Sequence, residues 1–216
     1  MNFAAFDVSA ASTGWAVIMP GDIRQRFDAP NWVKVLDKLK LSATSKNWRY
    51  YPEQDLSIAH GAWRLKSEWS REGEPHANLH RNLSALHEFC RFEHVLYEKA
   101  LTPEQRGGAS NPGNDILLEL IGHVKSFYCI KRCRTILGLH RASWQKGFIG
   151  PQKRGTKRKT ILELIQERAR QLGFTFRKDD EAAAIGLLTY GLLTRNMQPP
   201  WLLNEVLRPQ LTGAPA

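Results

Sequence analysis

The sequence predicts an α/β chain built on a mixed five-stranded sheet flanked by helices. Three observations carry this expectation. Residues 3–9 and 14–19 are short apolar runs separated by Ala10-Ala11-Ser12-Thr13, the pattern of a β-hairpin. Two later apolar runs, at 94–98 and 134–139, are interleaved with stretches of helical periodicity. Apolar residues make up 42% of the 216, enough for a substantial core in one ordinary domain with an insertion, or in two small ones.

Pro20-Gly21 closes the hairpin. Residues 20–75 hold four of the seven tryptophans (Trp32, Trp48, Trp63 and Trp69), with Tyr50 and Tyr51. A short helix near 31–40 and a third strand near 57–66 are expected there. Aromatics are usually buried, so core is the expectation for these rings and a base-stacking surface the alternative. From His76 the pattern is helical, with Leu79, Leu83, Leu86 and Cys90 on one stripe. His76, His80 and His87 lie on a neighbouring face, where solvated or helix-end histidines are expected over a metal site.

His94-Val95-Leu96-Tyr97-Glu98 reads as a strand with an acid at its tip, followed by a loop at 102–114 (TPEQRGGASNPGN) and a helix from Asp115 to about Ile130. Residues 134–139 form the next strand. Residues 141–159 (RASWQKGFIGPQKRGTKRK) carry seven basic residues, no acid, three glycines and a proline, and read as a basic loop. In it Trp144 and Phe148 offer stacking surfaces. Thr160–Leu172 is an amphipathic helix ended by Gly173, and the last main helix starts at Asp179-Asp180-Glu181, acids that suit its dipole. The proline-rich tail from residue 197 is expected to be loosely attached.

The formal net charge is +10, with a pI near 9.7. Such an excess points to a polyanionic partner, nucleic acid before an anionic membrane surface; a merely soluble basic protein is the plain alternative. No run reaches the roughly 18 apolar residues of a membrane span. The first apolar run lacks a basic leader region and carries Asp7, so no secretory signal is expected. Cys90, Cys129 and Cys133 are expected to be reduced thiols in a cytoplasmic protein.

Asp7 and Glu98 each stand at a strand tip, and Asp179, Asp180 and Glu181 at a helix start. If the strands of Asp7 and Glu98 are parallel neighbours, both carboxylates leave the same sheet edge, a usual place for ligand-binding groups. Grouped carboxylates repel and need a cation; oxygen ligands favour Mg²⁺ or Mn²⁺. Two ions about 4 Å apart suit phosphodiester cleavage. The plainer reading makes Asp7 and Glu98 turn residues and the Asp179 group a helix cap.

The ordered motifs FDVSAASTGWAV, LYEKAL, QRGGASNPGNDILLELIG, GFIGPQKRGTKRK and DDEAAAIGLLTYG together resemble RuvC-type Holliday junction resolvases of the RNase H-like superfamily, in a compact phage-like form. The resemblance covers nearly all the chain except 20–75 and the tail. It implies one RNase H-like nuclease domain over 1–196, with an insertion at about 20–75, and a tail over 197–216. It also implies a homodimer that binds four-way or branched DNA and makes paired, metal-dependent nicks, using two Mg²⁺ per site with Mn²⁺ as substitute.

By the same resemblance Asp7 bridges the metals, Glu98 holds one, and Asp180 is the third acid. Lys159 lies near the scissile phosphate, with Lys157 an equal neighbour. Arg106, Lys146, Lys153, Arg154, Lys157, Arg158 and Lys159 are the expected DNA contacts. The resemblance departs at Ala183, where a fourth acid is expected one turn beyond Asp180. Three explanations stand open: Asp179 or Glu181 substitutes, although Glu181 projects about 100° round the helix from Asp180; one metal binds more weakly; or the chain binds DNA without cutting it. A sugar-kinase- or actin-like ATPase is a further reading of the first hairpin, but it expects a duplicated domain.

Overall fold

The structure, a computed structural model, describes residues 2–67, 71–100 and 112–203. Strands β1 (Phe3–Val8) and β2 (Ser12–Pro20) form the expected hairpin, joined through the turn in which the Ser9 N–H donates to the Ser12 carbonyl at 2.8 Å. Two single-turn 3₁₀ segments lead to α1 (Val33–Leu39), β3 (Trp48–Tyr51) and β4 (Leu56–Arg64). Then follow α2 (Glu74–Phe89), β5 (His94–Glu98), α3 (Pro112–Ile130) and β6 (Thr135–Leu139). The chain continues with α4 (Arg141–Ile149), α5 (Arg158–Gln171), α6 (Asp179–Leu193) and the short α7 (Pro200–Leu203).

The six strands form one mixed sheet in the order β3-β4-β2-β1-β5-β6. β1, β5 and β6 run parallel, and β2, β4 and β3 add antiparallel strands on the other side. The sheet thus has one strand more than expected. The extra one is β3, whose four residues WRYY are at most half buried at the sheet edge. They carry no apolar–polar alternation, so period-2 patterning could not mark them.

Strand alternation divides the core in two. Ala4, Phe6 and Val8 of β1 face a cluster with Trp15, Trp63 and the inner faces of α1, α2 and α3. Phe3 and Ala5 face a second cluster with Leu96, Trp144 and the helices α4, α5 and α6. Leu79, Leu83, Leu86 and Cys90 are buried in the first cluster as their spacing predicts. Trp63 is core and stacks on Trp15 at 5.7 Å between centroids, whereas Trp32 and Trp48 are partly buried and pack against the edge of the same cluster. Trp69 lies outside the described residues.

Two expectations are corrected here. Residues 141–149 are not loop but helix α4, with Trp144 and Phe148, one turn apart, pointing into the core. Neither ring is available to stack on a base. Gly147 fits inside this helix because a Cβ there would lie 2.3 Å from the Tyr190 ring. The tail is also docked through its first residues: Trp201 is buried, and its indole N–H donates to Thr189 Oγ1 at 3.0 Å. Residues 204–216, and the expected loop as far as 111, lie outside the described residues. Among the described residues no helix is long and apolar enough to cross a membrane.

Candidate active site at the parallel edge

The Asp7 carboxylate sits where it does because of alternation. Phe3 and Ala5 face α4–α6, so Asp7, two residues on, lies on the same side of β1. On β5, Leu96 faces that side too, and Glu98 follows it at the strand's last residue. β1 and β5 pair in parallel from Phe3↔His94 to Phe6↔Tyr97, so the two acids leave the same sheet edge side by side.

The third acid arrives on α6. Gly14, the cross-strand partner of Asp7, has no side chain, and the first turn of α6 lies directly on it. A Cβ at Gly14 would fall 1.8 Å from the Asp180 carbonyl oxygen. Ser12, two residues back on the same face, donates its hydroxyl to Asp180 Oδ2. The small-residue turn that marked the sequence therefore admits a helix start.

These neighbours set the charge of Asp7. Desolvation, then the Glu98 and Asp180 carboxylates, push its carboxyl well above the usual range, while the guanidiniums of Arg141 and Arg158 oppose the shift. Glu98 is only 6% exposed. Arg141 Nε donates to its Oε1 at 2.6 Å, and Arg141 Nη2 reaches the same oxygen. Trp144 Nε1 donates to its Oε2 at 2.8 Å. Arg141 and Trp144 are three residues apart on α4 and so share a face. β6 pairs with β5 up to Glu98↔Leu139, which starts α4 beside the acid. Burial pulls the Arg141 pKa down, but Glu98 and then Asp7 outweigh it and hold the group above its ordinary value.

Sequence reasoning missed Arg141 and Trp144 as site residues. The signal was present in the four-residue spacing of Trp144 and Phe148, ahead of a Gly150-Pro151 stop. Changing Trp144 to Phe keeps most of the core volume but removes the bond to Glu98. We expect a loss of about 1.5–3 kcal/mol in urea unfolding, the scale of a hydrogen bond to a charged group. A variant as stable as the parent is incompatible with that bond.

The other acids point elsewhere. Asp179 is exposed and accepts a bond from Gln166 Nε2 at 2.6 Å. Glu181 is buried with its Oε2 3.5 Å from His60 Nδ1 on β4. Ala183, one turn beyond Asp180, is 3% exposed within the second core cluster. Lys159 is 88% exposed and pairs with Glu163 at 3.9 Å, whereas Arg158 beside it acts, with Arg141, on Asp7. Lys146, Lys153, Arg154, Lys157 and Arg158 are all exposed at the C-terminal end of α4, along the connecting segment and at the start of α5. Arg106 lies outside the described residues.

The donor chemistry of Asp7, Glu98 and Asp180 suits a hard divalent ion, and the mutual repulsion acting on Asp7 calls for a cation. As the side chains stand, however, no three metal-ligating groups among the described residues could hold an ion together. This extends to the histidines: His80 Nδ1 is 3.2 Å from His123 Nε2 on α3, and His76, whose ring lies 6.4 Å from that of His123, has its Nε2 3.4 Å from Glu119.

No protein-family model and no curated protein matches the chain. Two solved structures from Thermus thermophilus are similar to it. The structure of RuvC in complex with a Holliday junction substrate gives a TM-score of 0.56 at 12% identity, covering 91% of this chain and 96% of that one. A second RuvC structure gives 0.54 at 16% identity with the same coverage, 91% and 96%. The chain has the RNase H-like α/β fold of the RuvC-type resolvases.

Proposed function

We propose that this chain, built on the RuvC-type fold, is a metal-dependent, structure-selective endonuclease that resolves four-way (Holliday) or branched DNA junctions by paired nicks. The observation that carries this reading is the meeting of Asp7, Glu98 and Asp180 at one sheet edge, beside a run of exposed cations. The similar RuvC structure that holds a Holliday junction substrate supports the choice of DNA.

In this reading Asp7, Glu98 and Asp180 hold Mg²⁺ or Mn²⁺, two ions per site. Such ions supply Lewis acidity and an activated water in phosphodiester cleavage. Lys146, Lys153, Arg154, Lys157 and Lys159 grip backbone phosphates, which gives affinity that falls with salt and carries no sequence preference. Arg158 adds a second positive charge that acts on Asp7, after Arg141, and Lys159 serves a flanking phosphate. Paired nicks need two sites, so the working form is a homodimer. Its free cysteines accord with action in the cytoplasm of a bacterial or phage-infected cell.

A second reading, a junction-binding protein without cleavage, is favoured by Ala183, where a buried methyl group takes the place of a fourth acid. Incubation with a synthetic four-way junction, a fork and plain duplex, in Mg²⁺, Mn²⁺ or EDTA, separates the two. We expect paired nicks in the junction that need the metal. Tight junction binding with no nick in either metal overturns the endonuclease reading, and Ala183→Asp should then expose latent cleavage.

A further inference from the structure

The Glu98 carboxylate is held by two side chains of α4. Both of its oxygens are bonded, one by Arg141 through Nε and Nη2, the other by the Trp144 indole. Trp144 is 1% exposed and belongs to the core, so its bond is fixed by packing. Arg141 differs: its side chain is 54% exposed, while that of Glu98 is 7% exposed. It stands at the first residue of α4, the helix that leads into the exposed basic segment. Its charge also acts on Asp7, so one guanidinium partly offsets two of the three acids.

We propose that Arg141 is a built-in counter-cation of the acid cluster, one that competes with a divalent ion at Glu98 and is drawn off by a backbone phosphate of bound nucleic acid. The inference rests on the reading of Asp7, Glu98 and Asp180 as a cation site. The physical basis is charge balance. Three grouped carboxylates are costly without a cation, and a guanidinium bonded to Glu98 Oε1 meets part of that demand when no metal is present. The same planar donor group suits a phosphate, to which it can turn from the protein surface. Partner binding and metal loading are then coupled: free protein binds the ion weakly, and DNA frees the Glu98 oxygen as it arrives.

The test measures Mn²⁺ bound to DNA-free protein, from the electron paramagnetic resonance signal of the unbound ion. Arg141→Gln is expected to bind Mn²⁺ at least roughly tenfold more tightly than the parent, within the usual range of coupling between sites. Adding Glu98→Gln to that variant should return binding to the parent's level. Arg141→Lys keeps the positive charge and should stay weak. Should the Gln variant fail to melt cooperatively, Arg141→Met, which keeps the apolar stem, serves in its place. Separately, junction binding in EDTA should show a shallower salt dependence for Arg141→Gln, by about one phosphate contact.

Equal Mn²⁺ affinity in parent and Arg141→Gln, abolished in both by Glu98→Gln, overturns the counter-cation role and leaves the cation site standing. Mn²⁺ binding that Glu98→Gln does not alter in either background overturns both. An unchanged salt dependence overturns the transfer of Arg141 to a phosphate.

Discussion

Replacing Asp7 by Asn is expected to abolish junction nicking and, at neutral pH, to raise the melting temperature. The two effects have one cause. Asp7 is half-buried beside Glu98 and Asp180, and burial and those carboxylates together raise its carboxyl pKa well above the ordinary value. A raised folded-state pKa means that the folded chain binds the proton more tightly than the unfolded chain. Below the unfolded value, about 3.9, both states are protonated and the residue has little effect on stability. As pH climbs from there towards the raised folded value, the unfolded chain ionises first and stability drains away; above it the loss is complete and constant.

Asparagine has the same shape and no charge to desolvate, so it escapes this loss. The stability gap between Asp7→Asn and the parent should therefore be close to nothing at the acid end and widen towards neutrality. For a chain of this length each kcal/mol corresponds to about 2–4 °C. Nicking should drop below roughly one thousandth of the parent's rate, about 4 kcal/mol of transition-state stabilisation. Thermal melts from pH 4 to 8, paired with junction cleavage in Mg²⁺, check both halves. An Asn variant that cleaves like the parent removes the metal-site reading. One that is less stable than the parent at pH 7 removes the electrostatic account of Asp7.

How much of this was legible in the sequence depended on how local the signal was. The hairpin, β5 and the stripe of α2 were legible because alternation and helical spacing are written in neighbouring residues. Asp7 and Glu98 stood out because a carboxylate at the end of an apolar run breaks a pattern. Arg141 was hidden twice over. Its helix has the composition of a basic loop, and its partner Glu98 is 43 residues away, reached only through the pairing of β5 with β6. Glu181 shows the reverse difficulty. Its place in the acid triplet made it a candidate ligand, but one residue's rotation round α6 turns it to His60. β3 left no pattern at all, because a short edge strand with half-buried residues on both faces has no polarity contrast to display.

The contact between Gly14 and α6 yields the other large effect: Gly14→Ala should cost about 3 kcal/mol or more and cut nicking together with stability. Small-to-large changes in a packed interior usually cost 1–3 kcal/mol, because side chains can give way. Here the obstructing atoms are backbone. The new methyl would fall 1.8 Å from the Asp180 carbonyl oxygen and 2.9 Å from the Glu181 nitrogen. No rotamer relieves that clash, so the first turn of α6 has to lift from β2. Lifting it strains the Ser12–Asp180 bond and withdraws Asp180 from Asp7. The exposed cations from Lys146 to Lys159 lie on α4, the connecting segment and the start of α5, so junction affinity in EDTA should change far less than cleavage. Urea unfolding, junction binding and nicking rates of Gly14→Ala would together locate the effect. Parent-like stability means that α6 does not rest on Gly14 as described, and an equal loss of binding and cleavage means that global unfolding, rather than loss of Asp180 from the site, accounts for the change.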